Sequence, residues 1–139
     1  MATLHLRIVS QEEELVNCQA EQVSAPSEHG EITILPGHTA LVAKLQVGEL
    51  NYTTKQKQES IVVSAGFLTV SRENEVIVIV DSAVSDRDIS LQKAEAAVKA
   101  ARESIVSSEK QEELVRAEAV LRKALLEIKV AQRTKKTKL

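Results

Sequence analysis

Cys18, His29 and His38 are the side chains of this chain best suited to hold a metal ion, and Cys18 is its only cysteine. One thiolate and two imidazoles could bind zinc. Structural zinc sites, however, draw on closely spaced pairs of cysteine or histidine, and no such pair is present. The simpler reading is a turn histidine and a loop histidine, so no metal ligand is assigned. Ser64-Ala65-Gly66 lies between two apolar runs and reads as a hairpin turn rather than as a nucleophile on a sharp elbow. No HExxH, GxSxG or GxxxxGK[ST] pattern occurs, and each of those chemistries depends on its spacing. The carboxylates fall mainly in polar turns and charged helix faces, where solvation is the default. The expectation is a binding protein with no catalytic residue and no cofactor.

Charge is the second lead. The 139 residues carry a net charge of −2, unevenly placed. The stretch from Gln111 to Leu139 holds Arg116, Arg122, Lys123, Lys129, Arg133, Lys135, Lys136 and Lys138 against Glu112, Glu113, Glu118 and Glu127, which makes it +4 and leaves −6 before it. A basic end of this kind meets an acidic surface. The terminal run Arg-Thr-Lys-Lys-Thr-Lys also suits a frayed, solubilising end. Aromatic residues make up only 1 %, too few for the stacking platforms that bind single strands, so nucleic acid is not the expected partner. A lone cysteine fits a reducing compartment, the first residues lack the pattern of a signal peptide, and no apolar run approaches a membrane span.

The elements that must position these residues change period in mid-chain. From Thr3 to Asp81 the sequence has short alternating or apolar runs broken by Gly and Pro. Leu4, Leu6 and Ile8 alternate with polar neighbours, as in a strand with one buried face. Further strands are expected at Glu14–Cys18, Gln22–Ala25, Glu31–Leu35, Leu41–Leu45, Val47–Thr54, Ile61–Ser64, Phe67–Ser71 and Val76–Val80. Pro36-Gly37, Ala65-Gly66 and Glu73-Asn74 supply turns, and Gln56-Lys57-Gln58 a polar hairpin tip. The last run, Val-Ile-Val-Ile-Val, predicts a central strand covered on both faces. Many short strands at close spacing favour an antiparallel sandwich or barrel-like sheet pair.

From Asp88 onward there is no Gly, Pro or aromatic residue. Leu91, Ala94, Val98, Ala101 and Ile105 step by three and four along one face, with Asp88 or Ser90 as the N-cap. A break at Val106–Lys110 precedes a second stripe of Leu114, Ala117, Leu121, Leu125 and Ile128. Two stripes of similar length joined by a polar loop predict an antiparallel helical hairpin. The fold class is therefore α+β: an N-terminal antiparallel β-sandwich over residues 1–84, then a C-terminal two-helix hairpin over 88–139. At about 25 cal/mol per Å² an Ala-rich seam gains little beyond its ordering entropy. Such a tail is marginal alone, as a conformational switch requires.

Three motifs in this order resemble a known family. Gly30-Glu31-Ile32-Thr33-Ile34-Leu35-Pro36-Gly37-His38-Thr39-Ala40-Leu41 is similar to G-E-I-G-I-L-P-G-H-x-P-L. Ser64 to Val70 is similar to S-G-G-F-x-E-V, and Val76 to Ala83 to V-T-V-L-A-D-x-A. On these the chain resembles the epsilon subunit of bacterial and chloroplast F-type ATP synthase, over its whole length. The resemblance implies a β-sandwich of about ten strands followed by a two-helix carboxyl-terminal domain, in a non-catalytic central-stalk (rotor) subunit of a proton-translocating synthase. It would bind the gamma subunit and the c-ring, and inhibit ATP hydrolysis when its helices extend to the alpha/beta catalytic hexamer. It would sit peripherally on the cytoplasmic face of an energy-transducing membrane. By position, Glu31 would face the c-ring and His38 the gamma contact. Arg116, Arg122, Lys123, Lys129 and Arg133 would be candidates for the inhibitory contact with an acidic loop.

The departures are informative too. Thr33, Ala40 and Ala65 replace a Gly, a Pro and a Gly of the pattern. Ile89-Ser90-Leu91-Gln92-Lys93-Ala94 lies where some members carry I/L-D-x-x-R-A, a motif that binds regulatory ATP. Ser90 replaces its carboxylate, and Lys93 keeps the charge of its arginine but not the planar fork. With Ile89, Ser90, Lys93 and Ala94 so degenerate, no bound ATP is expected. The alternative reading is a free-standing regulatory adapter with the same architecture.

Overall fold

The computed structural model describes residues 2–55 and 57–137; Gln56 of the expected hairpin tip and Lys138 of the basic run lie outside them. Ten strands come first: β1 (Leu4–Val9), β2 (Glu14–Ala20), β3 (Gln22–Ser27), β4 (Gly30–Ile34), β5 (Leu41–Leu45), β6 (Gly48–Thr53), β7 (Gln58–Val63), β8 (Gly66–Val70), β9 (Glu75–Val80) and β10 (Ala83–Ser85). A 3-10 turn at Asp86–Asp88 leads to two helices, α1 (Leu91–Ser107) and α2 (Gln111–Thr137). The strands hydrogen-bond in the order β10-β7-β6-β3-β5-β8-β9-β1-β2, with β4 added to β3. This is the expected ten-stranded sandwich followed by two helices. Contacts divide the chain into Met1–Val84 and Ser85–Leu139.

The alternation read in β1 holds: Leu4, Leu6 and Ile8 are fully buried and their neighbours only half so. The core is aliphatic, with Val23, Ile34, Leu45, Leu50, Val63, Leu68, Val76 and Val78 filling the same cluster. Pro36-Gly37 makes its turn with Gly37 at φ +87, a left-handed conformation that glycine adopts without Cβ strain. Gly66 answers a different need. A Cβ there would fall 2.1 Å from the carbonyl oxygen of Ile79 and 2.8 Å from Val80 Cα, so β8 reaches β9 only without a side chain.

Several expectations are corrected. β9 is central, flanked by β8 and β1, but it is covered on one face only. Val76, Val78 and Val80 are buried whereas Ile79 is 58 % exposed. A continuous apolar run does not distinguish a doubly covered strand from one whose outer face awaits a partner. The β1–β9 pairing is parallel, His5 opposite Glu75 and Val9 opposite Ile79, inside an otherwise antiparallel fold. The joint after Asp81 contains a tenth strand, too short for periodicity to announce.

In the helical unit Ser90 is the N-cap, its Oγ accepting from the Lys93 N–H at 3.3 Å. The turn between the helices is held by Ser108, which donates to Glu113 Oε2 at 2.8 Å while its N–H closes α1 on the Ser104 carbonyl. The helices are unequal, 17 and 27 residues. Among the residues whose burial is described, Ala94, Ala101, Ala117, Ala124 and Val130 are the buried positions, and Leu125 of the expected stripe is 43 % exposed. Small residues take the seam because they let two helix backbones approach closely.

Candidate partner-binding surface

The residues first considered for metal chemistry do not assemble. Cys18 is half-buried on β2, His29 is exposed in the β3–β4 turn, and His38 sits in the β4–β5 loop. Among the described residues no group of three His, Cys, Asp or Glu side chains is placed to share an ion. Burial, and after it the Glu59 carboxylate, pushes the Cys18 thiol above its usual pKa, which makes it a poor nucleophile. Ser64 is occupied as well: its Oγ accepts the Ser82 N–H at 2.8 Å and donates to the Ser82 carbonyl at 3.2 Å.

Glu31 and His38 lie at opposite ends of β4. Glu31 is exposed beside the β3–β4 turn, opposite Pro26 in the ladder. His38 donates its backbone N–H to the Leu35 carbonyl at 3.1 Å, and its ring Nδ1 lies 2.7 Å from the Thr39 carbonyl. That contact requires a proton on Nδ1 and leaves Nε2 for a neighbour. Beside it opens a shallow cleft of about 440 Å³, lined also by Arg72. A surface using both Glu31 and His38 must therefore extend along β4.

The five cations named on α2 fall into two stripes. Arg122, Lys129 and Arg133 are spaced by seven and four, hence on one side of the helix; Arg116 and Lys123, seven apart, share another. Arg116, Arg122, Lys129 and Arg133 are exposed. Lys123 is more covered and lies 4.0 Å from Glu127 one turn on. Of the degenerate nucleotide motif, Ser90 is used as a cap, Ala94 is buried, Ile89 is half-buried and Lys93 exposed.

Sequence reasoning missed the most distinctive surface. On the outer face of β5, β8 and β9, Val42 is 71 %, Phe67 53 % and Ile79 58 % exposed. The register joins them: Lys44 faces Phe67 and Val42 faces Thr69, Phe67 faces Ile79, and Ile79 faces Val9. Phe67, one of two aromatic residues in the chain, thus stands among aliphatic neighbours with Lys44 and Asp81 at the rim of an adjoining 410 Å³ cleft. Arg7 and Glu14 form a 2.9 Å ion pair near the far edge; that hydrogen bond, then the carboxylate charge, holds Arg7 still more firmly protonated. Contiguous exposed apolar side chains with a charged rim mark a protein–protein contact. The signal available was the outward half of the Val-Ile-Val-Ile-Val run.

A family model described as ATP synthase, Delta/Epsilon chain, beta-sandwich domain matches residues 3–86. Among curated relatives, the ATP synthase epsilon chain of Dehalococcoides mccartyi (strain CBDB1) is 38 % identical over 137 residues, covering 98 % of this chain and 97 % of that one. That of Janthinobacterium sp. (strain Marseille) is 34 % identical over 133 residues, 94 % of each. A chain of the Euglena gracilis mitochondrial ATP synthase OSCP/F1/c-ring structure superposes with TM-score 0.75 at 24 % identity, covering 96 % of this chain and 81 % of that one. One from the Tetrahymena thermophila mitochondrial ATP synthase central stalk/c-ring structure gives 0.68 at 13 %, covering 92 % and 96 %. At these identities the two structures speak for the fold alone.

Proposed function

The chain belongs to the ATP synthase epsilon family, and from that premise we propose that it is a rotor part of the central stalk, coupling c-ring rotation to the catalytic core. The observation that carries this reading is the apolar outer face of β5, β8 and β9, with Val42, Phe67 and Ile79 all more than half exposed. A face of this kind is costly to leave in water, and the gamma subunit is its proposed cover. The β3–β4 turn with Glu31 would face the c-ring and the His38 loop would border gamma. Among the described residues no helix is long and apolar enough to cross a membrane, so attachment to the cytoplasmic face of the membrane would run through the complex.

The helical unit is the proposed regulator. Its α2 stripe of Arg122, Lys129 and Arg133 suits an acidic loop of the alpha/beta hexamer, and the Ala-lined seam lets the two helices separate at modest cost. ATP hydrolysis would fall when the helices extend.

The test is reconstitution with cognate alpha, beta and gamma. Phe67→Glu or Ile79→Glu should weaken gamma binding at least about 30-fold, the loss of one interface anchor, with the β-sheet circular dichroism signal unchanged. Full-length chain should suppress hydrolysis, and a version truncated after Arg87 should bind gamma without suppressing it. If neither version binds gamma, a free-standing adapter becomes the better reading. If both bind and neither suppresses, the chain couples rotation without inhibiting.

A further inference from the structure

The helices differ in length by ten residues. In an antiparallel hairpin turning at Ser108–Lys110, the start of α1 lies opposite the neighbourhood of Glu127. The end of α2, from Ile128 on, therefore runs past α1 by roughly 15 Å at 1.5 Å per residue. The 3-10 turn Asp86–Asp88 packs beside this overhang. Thr134 Oγ1 donates to Asp86 Oδ2 at 3.1 Å in a partly buried contact between positions 48 residues apart. Ser85 Oγ donates to the other oxygen, Asp86 Oδ1, at 3.4 Å. Both oxygens of one carboxylate thus take a hydroxyl donor, one from its own segment and one from the far end of the helical unit.

We propose that Asp86 and Thr134 form a latch that clasps the linker to the overhanging end of α2. The linker then travels with the helices rather than acting as a free hinge, and opening of the hairpin begins by breaking this bond. A hydroxyl–carboxylate bond has the right strength for the purpose: charge-assisted, yet open enough to water to be exchanged. The latch concerns the regulation of the helical unit and rests on the function proposed above only for its effect on hydrolysis; its closure is read on the chain by itself.

The experiment is hydrogen–deuterium exchange on the full chain, comparing the parent with Thr134→Val, Asp86→Ala, their double variant and Thr134→Ser. Valine keeps the branched shape and removes the donor, and serine keeps the donor. Peptides spanning 86–90 and 128–137 should exchange about fivefold faster in either single variant. The double variant should be no faster than Asp86→Ala, and Thr134→Ser should stay near the parent. Peptides around Ala101 and Ala117 should not change. Unchanged exchange in Thr134→Val, or additive acceleration in the double variant, overturns the latch and leaves the inhibitory reading untouched. In the hydrolysis assay an opened latch should deepen inhibition several-fold. Faster exchange without deeper inhibition keeps the latch and removes the inhibitory role.

Discussion

Cys18 shows how much a residue's role depends on neighbours distant in sequence. Its thiol is held above its usual pKa by burial first and the Glu59 carboxylate second, so thiolate is scarce near neutrality. Alkylation by iodoacetamide should be slower than that of free glutathione and should recover in denaturing urea. The linkage has a definite sign. The folded chain keeps the thiol proton where the unfolded chain releases it, so this contribution is complete below about pH 8.5 and is lost as pH rises through the raised folded value. Urea midpoints at neutral and alkaline pH should therefore differ less in Cys18→Ser than in the parent. The sequence offered Cys18 as the last residue of an expected strand but not its neighbour Glu59, which comes from β7. Glu31 and His38 were legible as opposite ends of one strand, because the expected run Glu31–Leu35 and its closing turn at Pro36-Gly37 lie between them. Phe67 lies within the Ser64–Val70 motif, whose residues carry no sign that its ring faces outward.

At the level of elements, strands were legible wherever one face was polar. Leu4, Leu6 and Ile8 announced β1 because water chose their neighbours. Where both faces are apolar, as in β9, composition is silent about which face is covered, since a partner chain does the same work as a core. At Gly66 the backbone of β8 comes too close to β9 to admit a Cβ. Gly66→Ala would push a methyl group into the Ile79 carbonyl and should cost about 2–3 kcal/mol in urea unfolding, the scale of an overpacked site. Ser90→Ala should cost about 1 kcal/mol, confined to exchange protection of the first turn of α1, because only that helix loses its cap. The unequal helix lengths escaped the sequence because both apolar stripes are equally long; beyond them α2 continues through the buried Val130 and through Thr134, whose partner Asp86 lies 48 residues away.

For the whole molecule, every side chain of the main core cluster lies between Leu4 and Val80. A version ending after Arg87 should accordingly unfold in a single cooperative transition with near-native strand signal in circular dichroism, whatever becomes of the helices. The parallel pairing of β1 with β9 gives that cooperativity a cost in time. His5 needs Glu75 as its neighbour, so the first strand made is completed by nearly the last. At about 5–20 residues per second of synthesis, the wait is on the order of ten seconds. Throughout that interval Leu4, Leu6 and Ile8 have only β2 to pair with, and high-contact-order closure of this kind is slow even in the released chain. The nascent chain should thus be a client of holding chaperones until β9 emerges, and slowing translation just before Glu75 should lengthen that association.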